Sequence, residues 1–204
     1  YGLSNISSVE FAWAFVLAGL LVGVLFVRRE LKIECPMLQL RIFRHNLVFT
    51  YSNVATLLNY GATFAVGYLL SIYLQLVMGY TSQTAGLILV CQPIVMAVFS
   101  PYAGRLSDRI SPHKNASLGM AICAVNLLLF AFIDEGTPLW LIIFGLMFIG
   151  LGFALFSSPN TNAVMACVDK QEYSIASSIL ATMRSVGHSS SMAIVTVVIG
   201  AYMG

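Results

Sequence analysis

Six long apolar stretches separated by short polar segments limit what this chain can fold into. Each stretch approaches or exceeds the ~20 mostly apolar residues that a helix needs to cross the ~30 Å hydrocarbon core of a bilayer. Because an open strand edge would leave backbone groups unpaired in lipid, every span is predicted to be a helix. The predicted spans are approximately 9–27, 47–78, 85–106, 116–133, 139–159 and 174–202.

The composition agrees with a membrane solvent and argues against other classes of protein. Charged residues make up 9% of the chain and hydrophobic residues 59%, whereas soluble domains carry about 25% charged residues. A net charge of +2 gives a nucleic-acid partner no electrostatic support. The sequence has no HExxH, GxSxG or carboxylate-pair signature, and its four cysteines form no CxxC pair. We therefore predict no enzyme activity, no metal site and no cofactor.

The basic residues occur in every second loop. Loops 28–46, 105–115 and 168–173 contain nine of the ten Lys and Arg residues, and the tenth, Arg184, lies inside the sixth span. The positive-inside rule places these three loops in the cytoplasm and both chain ends outside. The sequence therefore predicts a multi-pass protein of the cell membrane. Residues 36–46 mix apolar and basic side chains, which predicts an amphipathic segment on the inner leaflet.

The loop that begins at residue 104 contains candidate gating residues. Gly104 permits close helix approach, Asp108 can accept hydrogen bonds at a neighbouring helix N-terminus, and Arg109 can pair with Asp108 or with lipid phosphate. By residue type alone, an ordinary basic inner loop explains the segment equally well. Its Gly-x-Leu-x-Asp-Arg pattern resembles the signature loop of the major facilitator superfamily, which joins the second and third helices of each six-helix half. The resemblance implies that Gly104, Asp108 and Arg109 form a conformational gate.

Three further stretches resemble one branch of that superfamily, the fourteen-span drug:proton antiporters. Residues 36–44 are similar to the segment before the C-terminal bundle of that family. Residues 150–160 are similar to its helix that ends with Ser-Pro-Asn on the cytoplasmic side. Residues 176–187 are similar to the following helix, with its small residues and Arg-x-x-Gly. In that family two extra spans join two six-helix halves.

This resemblance implies a domain layout for an all-α, polytopic membrane helical bundle. Residues 1–35 would hold the second linker span and its inner loop, and residues 36–46 the amphipathic segment. Residues 47–204 would form the first five helices of the C-terminal half. We expect the sixth helix of that half and the whole N-terminal half to lie outside this chain.

Polar and aromatic residues inside the spans are candidates for lining a substrate cavity, since unpaired polar groups are costly in hydrocarbon. Arg184 and His188 share a face of the sixth span. Asn53, Tyr60 and Phe64 share a face of the second span. For each of these residues, helix packing or snorkelling of the side chain remains an alternative. Separately, Pro93 is predicted to kink the third span. The cavity candidates are Asn53, Tyr60, Phe64, Gln92, Asn126, Arg184 and His188.

The resemblance implies an exporter of drugs or small metabolites that works by proton antiport and alternating access. No Asp or Glu lies deep in a predicted span, so we expect the coupling carboxylate in the N-terminal half. The expected partners are the lipid bilayer, a small-molecule substrate, the proton and that half of the protein. Another major facilitator carrier, for a sugar or organic anion, and a non-transporting membrane assembly protein remain alternatives.

Overall fold

The computed structural model describes residues 46–109 and 111–203, together with eight helical positions between residues 17 and 29. All regular structure in these residues is helical, which confirms the predicted all-α membrane bundle. Most of the predicted first span, and the amphipathic segment apart from Asn46, lie outside the described residues. The helices are α1 (Leu47–Leu76), α2 (Ser82–Leu89), α3 (Cys91–Arg109), α4 (Pro112–Phe130), α5 (Leu139–Ala166), a 3-10 turn (Lys170–Glu172) and α6 (Tyr173–Met203).

The turn between α1 and α2 follows directly from its residues. Gly79 adopts φ +70°, a left-handed conformation that is easy only for glycine. The backbone N–H of Tyr80 donates to the carbonyl of Leu74 at 3.0 Å, which satisfies one of the last carbonyls of α1. Thr81 then caps α2, because its side chain accepts a hydrogen bond from the N–H of Thr84.

The predicted third span is not one uninterrupted helix. It consists of α2 and α3, separated at Val90. Pro93 lacks an N–H, so the carbonyl of Leu89, four residues earlier, has no helical donor from that position. The interruption lies in the turn before Pro93, which itself occupies the first turn of α3, and this agrees with the predicted disturbance of the span by Pro93.

The fifth span was predicted to end at the Ser-Pro-Asn sequence, and this was wrong. Helix α5 continues through Pro159 to Ala166. Pro159 leaves the carbonyl of Leu155 without its usual donor, but the helical hydrogen bonds on either side maintain the helix. Helix α4 begins four residues before its predicted start because Pro112 occupies its first turn, where a missing N–H costs little.

Three helical stretches of the described residues are long and apolar enough to cross a bilayer: Leu47–Leu76, Ser82–Ser107 and Leu139–Ala166. Helices α4 and α6 have sufficient length but more polar residues. The first turn of α4 contains His113, Lys114 and Asn115, and α6 contains Arg184 and His188. Their assignment as spans, and the order of the six spans, stay predictions from the loop charges.

The chain forms two compact units. The first comprises Tyr1–Ala65 and Lys170–Gly204, and the second comprises Val66–Asp169. In the second unit α5 packs against both α3 and α4. One buried cluster in this unit joins the end of α1 to α2 and the start of α5. It consists of Leu70, Leu74, Ala85, Ile88, Ile142 and Leu146.

Glycines allow α5 to lie close to both neighbours. A Cβ atom at Gly119 of α4 would lie 2.6 Å from the carbonyl oxygen of Gly152 and 2.6 Å from the backbone nitrogen of Phe156. A Cβ at Gly150 would lie 2.5 Å from the carbonyl oxygen of Gln92 at the start of α3. Small residues at such contacts are the usual means by which membrane helices approach closely.

Candidate substrate-binding site

Four of the seven predicted cavity residues meet in the first unit. Tyr60 and Phe64 lie one turn apart on α1, and Arg184 and His188 lie one turn apart on α6. The His188 ring stacks on Phe64 with centroids 4.0 Å apart and planes inclined by 21°. It also contacts Tyr60, with centroids 5.1 Å apart. The Cζ atom of Arg184 lies 5.6 Å from the centroid of the Tyr60 ring. We call these four residues the α1–α6 cluster.

A close approach of the two backbones brings the α1–α6 cluster together. A Cβ atom at Gly187 would lie 2.8 Å from the carbonyl oxygen of Leu57 and 3.1 Å from the Cβ of Tyr60. One turn further along α6, the hydroxyl of Ser191 accepts a hydrogen bond of 3.0 Å from the backbone N–H of Ala65. Gly187 thus sets the helix separation, and the Ser191 contact supports the pairing of α1 with α6.

The α1–α6 cluster presents both aromatic surface and positive charge. Arg184, His188 and Tyr60 are half-buried, whereas Phe64 keeps 44% of its surface exposed. A guanidinium near the face of a tyrosine ring is attracted by the ring quadrupole, and a ring face that no guanidinium occupies can attract a cationic ligand. The exposed Phe64 ring can stack on a flat ligand. The cluster can therefore bind an aromatic or cationic molecule, and Arg184 can pair with an anionic group.

A polar stripe on α1 was only partly recognised in the sequence. Ser52, Thr56, Asn59 and Thr63 are buried at helical spacing, and the predicted candidate Asn53 is completely buried beside them. Thr56 and Thr63 donate to carbonyls of their own helix. The Oδ1 atoms of Asn53 and Asn59 have no hydrogen-bond partner among the described residues. The spacing of four, three and four residues along an apolar helix is the signal that identifies this stripe.

Gln92 and Asn126 belong to the second unit, where they take part in helix packing. The carbonyl of Gln92 lies at the close contact with Gly150. Asn126 is buried, and its side-chain amide donates to the carbonyl of Gly145 at 2.9 Å, which links α4 to α5. The amide contact of Asn126 is what the packing alternative predicts for that residue. The Gln92 contact is through its backbone, so a cavity role for its side chain stays a prediction.

The substitution Asn126→Leu tests this assignment. It removes the link between α4 and α5 but keeps the side-chain volume, so we expect the melting temperature of the purified protein to fall by about 2–4 °C, with transport per folded molecule unchanged. Asn162→Leu, at an exposed position of α5, is the matched control and should leave both quantities unchanged. Loss of transport without loss of stability in Asn126→Leu would instead make Asn126 a cavity residue.

Of the predicted gate residues, Gly104 lies at a helix contact. It is half-buried on α3, and a Cβ atom there would lie 3.2 Å from the hydroxyl oxygen of Ser158 on α5. Asp108 and Arg109 form the last residues of α3, and their side chains lie outside the described part of the structure. The gate therefore stays a prediction. What the structure describes is the close packing of α3 on α5 at Gly104.

Comparison with known proteins identifies the family. Residues 2–192 match the Major Facilitator Superfamily. The chain is 31% identical over 169 residues to the riboflavin transporter RibZ of Clostridioides difficile, which covers 83% of this chain and 37% of the relative. It is 26% identical to the multidrug resistance protein Stp of Mycobacterium tuberculosis, over 99% of this chain and 36% of that protein. It is 24% identical to the lincomycin resistance protein LmrB of Listeria monocytogenes, over 94% of this chain and 43% of that protein.

The chain thus spans less than half the length of these relatives. The family match agrees with the helical membrane bundle and with the Gly104 loop, whose pattern resembles the signature loop of this family. The match extends over nearly the whole chain, and it shows that the chain belongs to the Major Facilitator Superfamily.

Proposed function

We propose that this chain forms part of a secondary transporter that exports lipophilic or cationic drugs, or small metabolites of similar chemistry. The observation that carries the proposal is the α1–α6 cluster. Two aromatic rings, an imidazole and a guanidinium lie together on α1 and α6. Partly exposed aromatic faces suit flat or cationic molecules through stacking and cation–π contacts. The names of the relatives Stp and LmrB agree with drug export.

The proposed placement is the C-terminal half of a fourteen-span antiporter. Under this proposal α1 to α6 form the first five helices of that half, because α2 and α3 together make one span. Loops 28–46, 105–115 and 168–173 face the cytoplasm of the cell that carries the protein. The N-terminal half supplies the titrating carboxylate for proton coupling, since none lies deep in the predicted spans here. Transport proceeds by rocking of the two halves around a midplane site.

Efflux from intact cells tests the proposal. We expect the full-length protein, expressed in cells that lack their own exporters, to lower the steady-state accumulation of ethidium, a flat lipophilic cation. Collapse of the proton gradient with an uncoupler should abolish this effect.

Asp108→Asn should slow efflux about fivefold if the gate operates as the family resemblance implies.

The control is the same protein with the exposed residue Lys170 changed to Gln, which should export at the normal rate. Ethidium accumulation equal to that of cells carrying an empty vector, at normal expression of the protein, would contradict drug export. Efflux that survives the uncoupler would contradict proton coupling but not drug export.

Riboflavin transport is a second candidate, favoured by the likeness to RibZ and by the stacking of His188 on Phe64. The riboflavin ring system is flat and could bind the exposed face of Phe64. Movement of radiolabelled riboflavin, measured in the same cells, separates the two functions. Riboflavin transport without ethidium export would favour this candidate, and the opposite result would exclude it.

A further inference from the structure

A groove outside the α1–α6 cluster lies between α3 and α5 in the second unit. It has a volume of about 450 Å³. Its walls are mostly apolar, and Phe99 and Tyr102 form a tilted ring pair along one side, with centroids 6.4 Å apart. The residues that line it are Phe99, Tyr102, Ala103, Arg105, Leu106, Leu151 and Leu155.

The groove contains one charged side chain, Arg105. This residue is exposed and lies one turn before the end of α3 at Arg109. The stretch Ser82–Ser107 is long and apolar enough to cross a membrane. Arg105 lies two residues before the end of that stretch, where a spanning helix would meet the headgroups. Tyr102 is 64% exposed one turn earlier, and tyrosine is enriched at this depth. The apolar groove thus ends at a cation close to the end of a candidate membrane span.

This arrangement has the chemistry of a phospholipid. The guanidinium of arginine binds phosphate oxygens through paired, charge-assisted hydrogen bonds. The apolar wall formed by Leu151, Leu155 and Phe99 can contact an acyl chain, for which nothing but dispersion and shape is required. Basic side chains next to the cytoplasmic leaflet attract anionic lipids, and loop 105–115 is predicted to lie on that side.

A second, larger groove serves as a comparison. It lies between α4 and α5, has a volume of about 870 Å³, and its lining contains no basic residue. The charged side chain in that lining, Asp134, accepts hydrogen bonds from Gly136 and Thr137 of its own turn. The larger groove therefore offers an apolar surface but no positive charge for a lipid phosphate. The α3–α5 groove offers an apolar surface and the positive charge of Arg105.

We propose that the α3–α5 groove is a binding site for one anionic phospholipid, with its phosphate on Arg105 and an acyl chain along Phe99, Leu151 and Leu155. The proposal does not depend on which substrate the protein carries. It concerns a surface separate from the α1–α6 cluster, so a failure of the drug-export proposal would leave it standing.

Native mass spectrometry of the purified full-length protein tests the site. The protein is mixed with dioleoyl phosphatidylglycerol or with dioleoyl phosphatidylcholine at equal concentrations. We expect the anionic lipid to be retained in preference, and Arg105→Gln to reduce that preference about fivefold. Arg105→Lys should keep part of it. The matched control is Lys114→Gln, which removes an exposed basic residue in the first turn of α4 that does not line the groove, and it should leave the preference unchanged.

A competition arm separates a lipid from a free phosphate. An excess of glycerol 3-phosphate, which has the phosphate but no acyl chain, should not displace phosphatidylglycerol. Leu155→Trp, which fills the groove, should weaken retention of the lipid while Arg105 remains. The proposal is overturned if Arg105→Gln has no effect, if Lys114→Gln has the same effect as Arg105→Gln, or if glycerol 3-phosphate displaces the lipid.

Discussion

Replacing Gly119 with alanine is expected to lower the melting temperature of the purified protein by roughly 5–10 °C. The added Cβ would lie 2.6 Å from the carbonyl oxygen of Gly152, 2.6 Å from the nitrogen of Phe156 and 2.9 Å from the carbonyl carbon of Leu155. All three are backbone atoms of α5, which cannot rotate away as a side chain can. Helices α4 and α5 must therefore separate, and they lose packing along the rest of their contact.

Two other glycines provide matched controls for this substitution. A Cβ atom at Gly67 of α1 or at Gly86 of α2 would meet no atom within 4 Å. Alanine favours a helix over glycine by about 1 kcal/mol, so Gly67→Ala and Gly86→Ala should leave the melting temperature unchanged or raise it slightly. Thermal unfolding followed by tryptophan fluorescence would measure all three variants. A Gly119→Ala protein that melts at the same temperature as the wild type would show that α4 and α5 are further apart than the 2.6 Å contacts indicate.

The helices could be predicted from local patterns more completely than their interruptions. The start of α1, and the glycine turn after it, follow from apolar length and from Gly79. The effects of the prolines could not be predicted in the same way. Pro93 is preceded by a break, whereas Pro159 lies within a continuous helix. Both lack the same N–H, and the outcome depends on packing of the surrounding turns, which a single sequence does not contain.

The candidate site shows the same division between local and tertiary information. Four-residue spacing predicted that Tyr60 and Phe64 share a face, and that Arg184 and His188 share another. Their meeting depends on the close approach at Gly187, where the bare backbone of α6 lies against Leu57. Asn126 carried the same sequence signal as the cluster residues, a polar side chain in an apolar helix. Its amide donates to a carbonyl of the next helix, so a buried polar side chain does not by itself distinguish a packing residue from a cavity residue.

The pairing of Arg184 with Tyr60 leads to the second large expected effect, on transport. If the α1–α6 cluster binds substrate, Arg184→Gln and Tyr60→Leu should each reduce the initial rate of ethidium efflux about tenfold, because each removes one partner of a cation–π contact at the site. Tyr60→Phe keeps the ring and should stay within about twofold of the wild type. Rates would be divided by the amount of folded protein at the membrane.

The double variant Arg184→Gln with Tyr60→Leu distinguishes a shared site from two separate structural roles. Residues that act through one contact are not additive, so the double variant should transport at about the rate of either single variant. Independent structural roles would multiply the two losses to about a hundredfold and lower the melting temperature as well. Normal efflux in Arg184→Gln would contradict the site altogether, since the guanidinium would then serve neither the substrate nor the ring beside it. Transport loss at unchanged stability is thus the result that assigns the cluster to the substrate path.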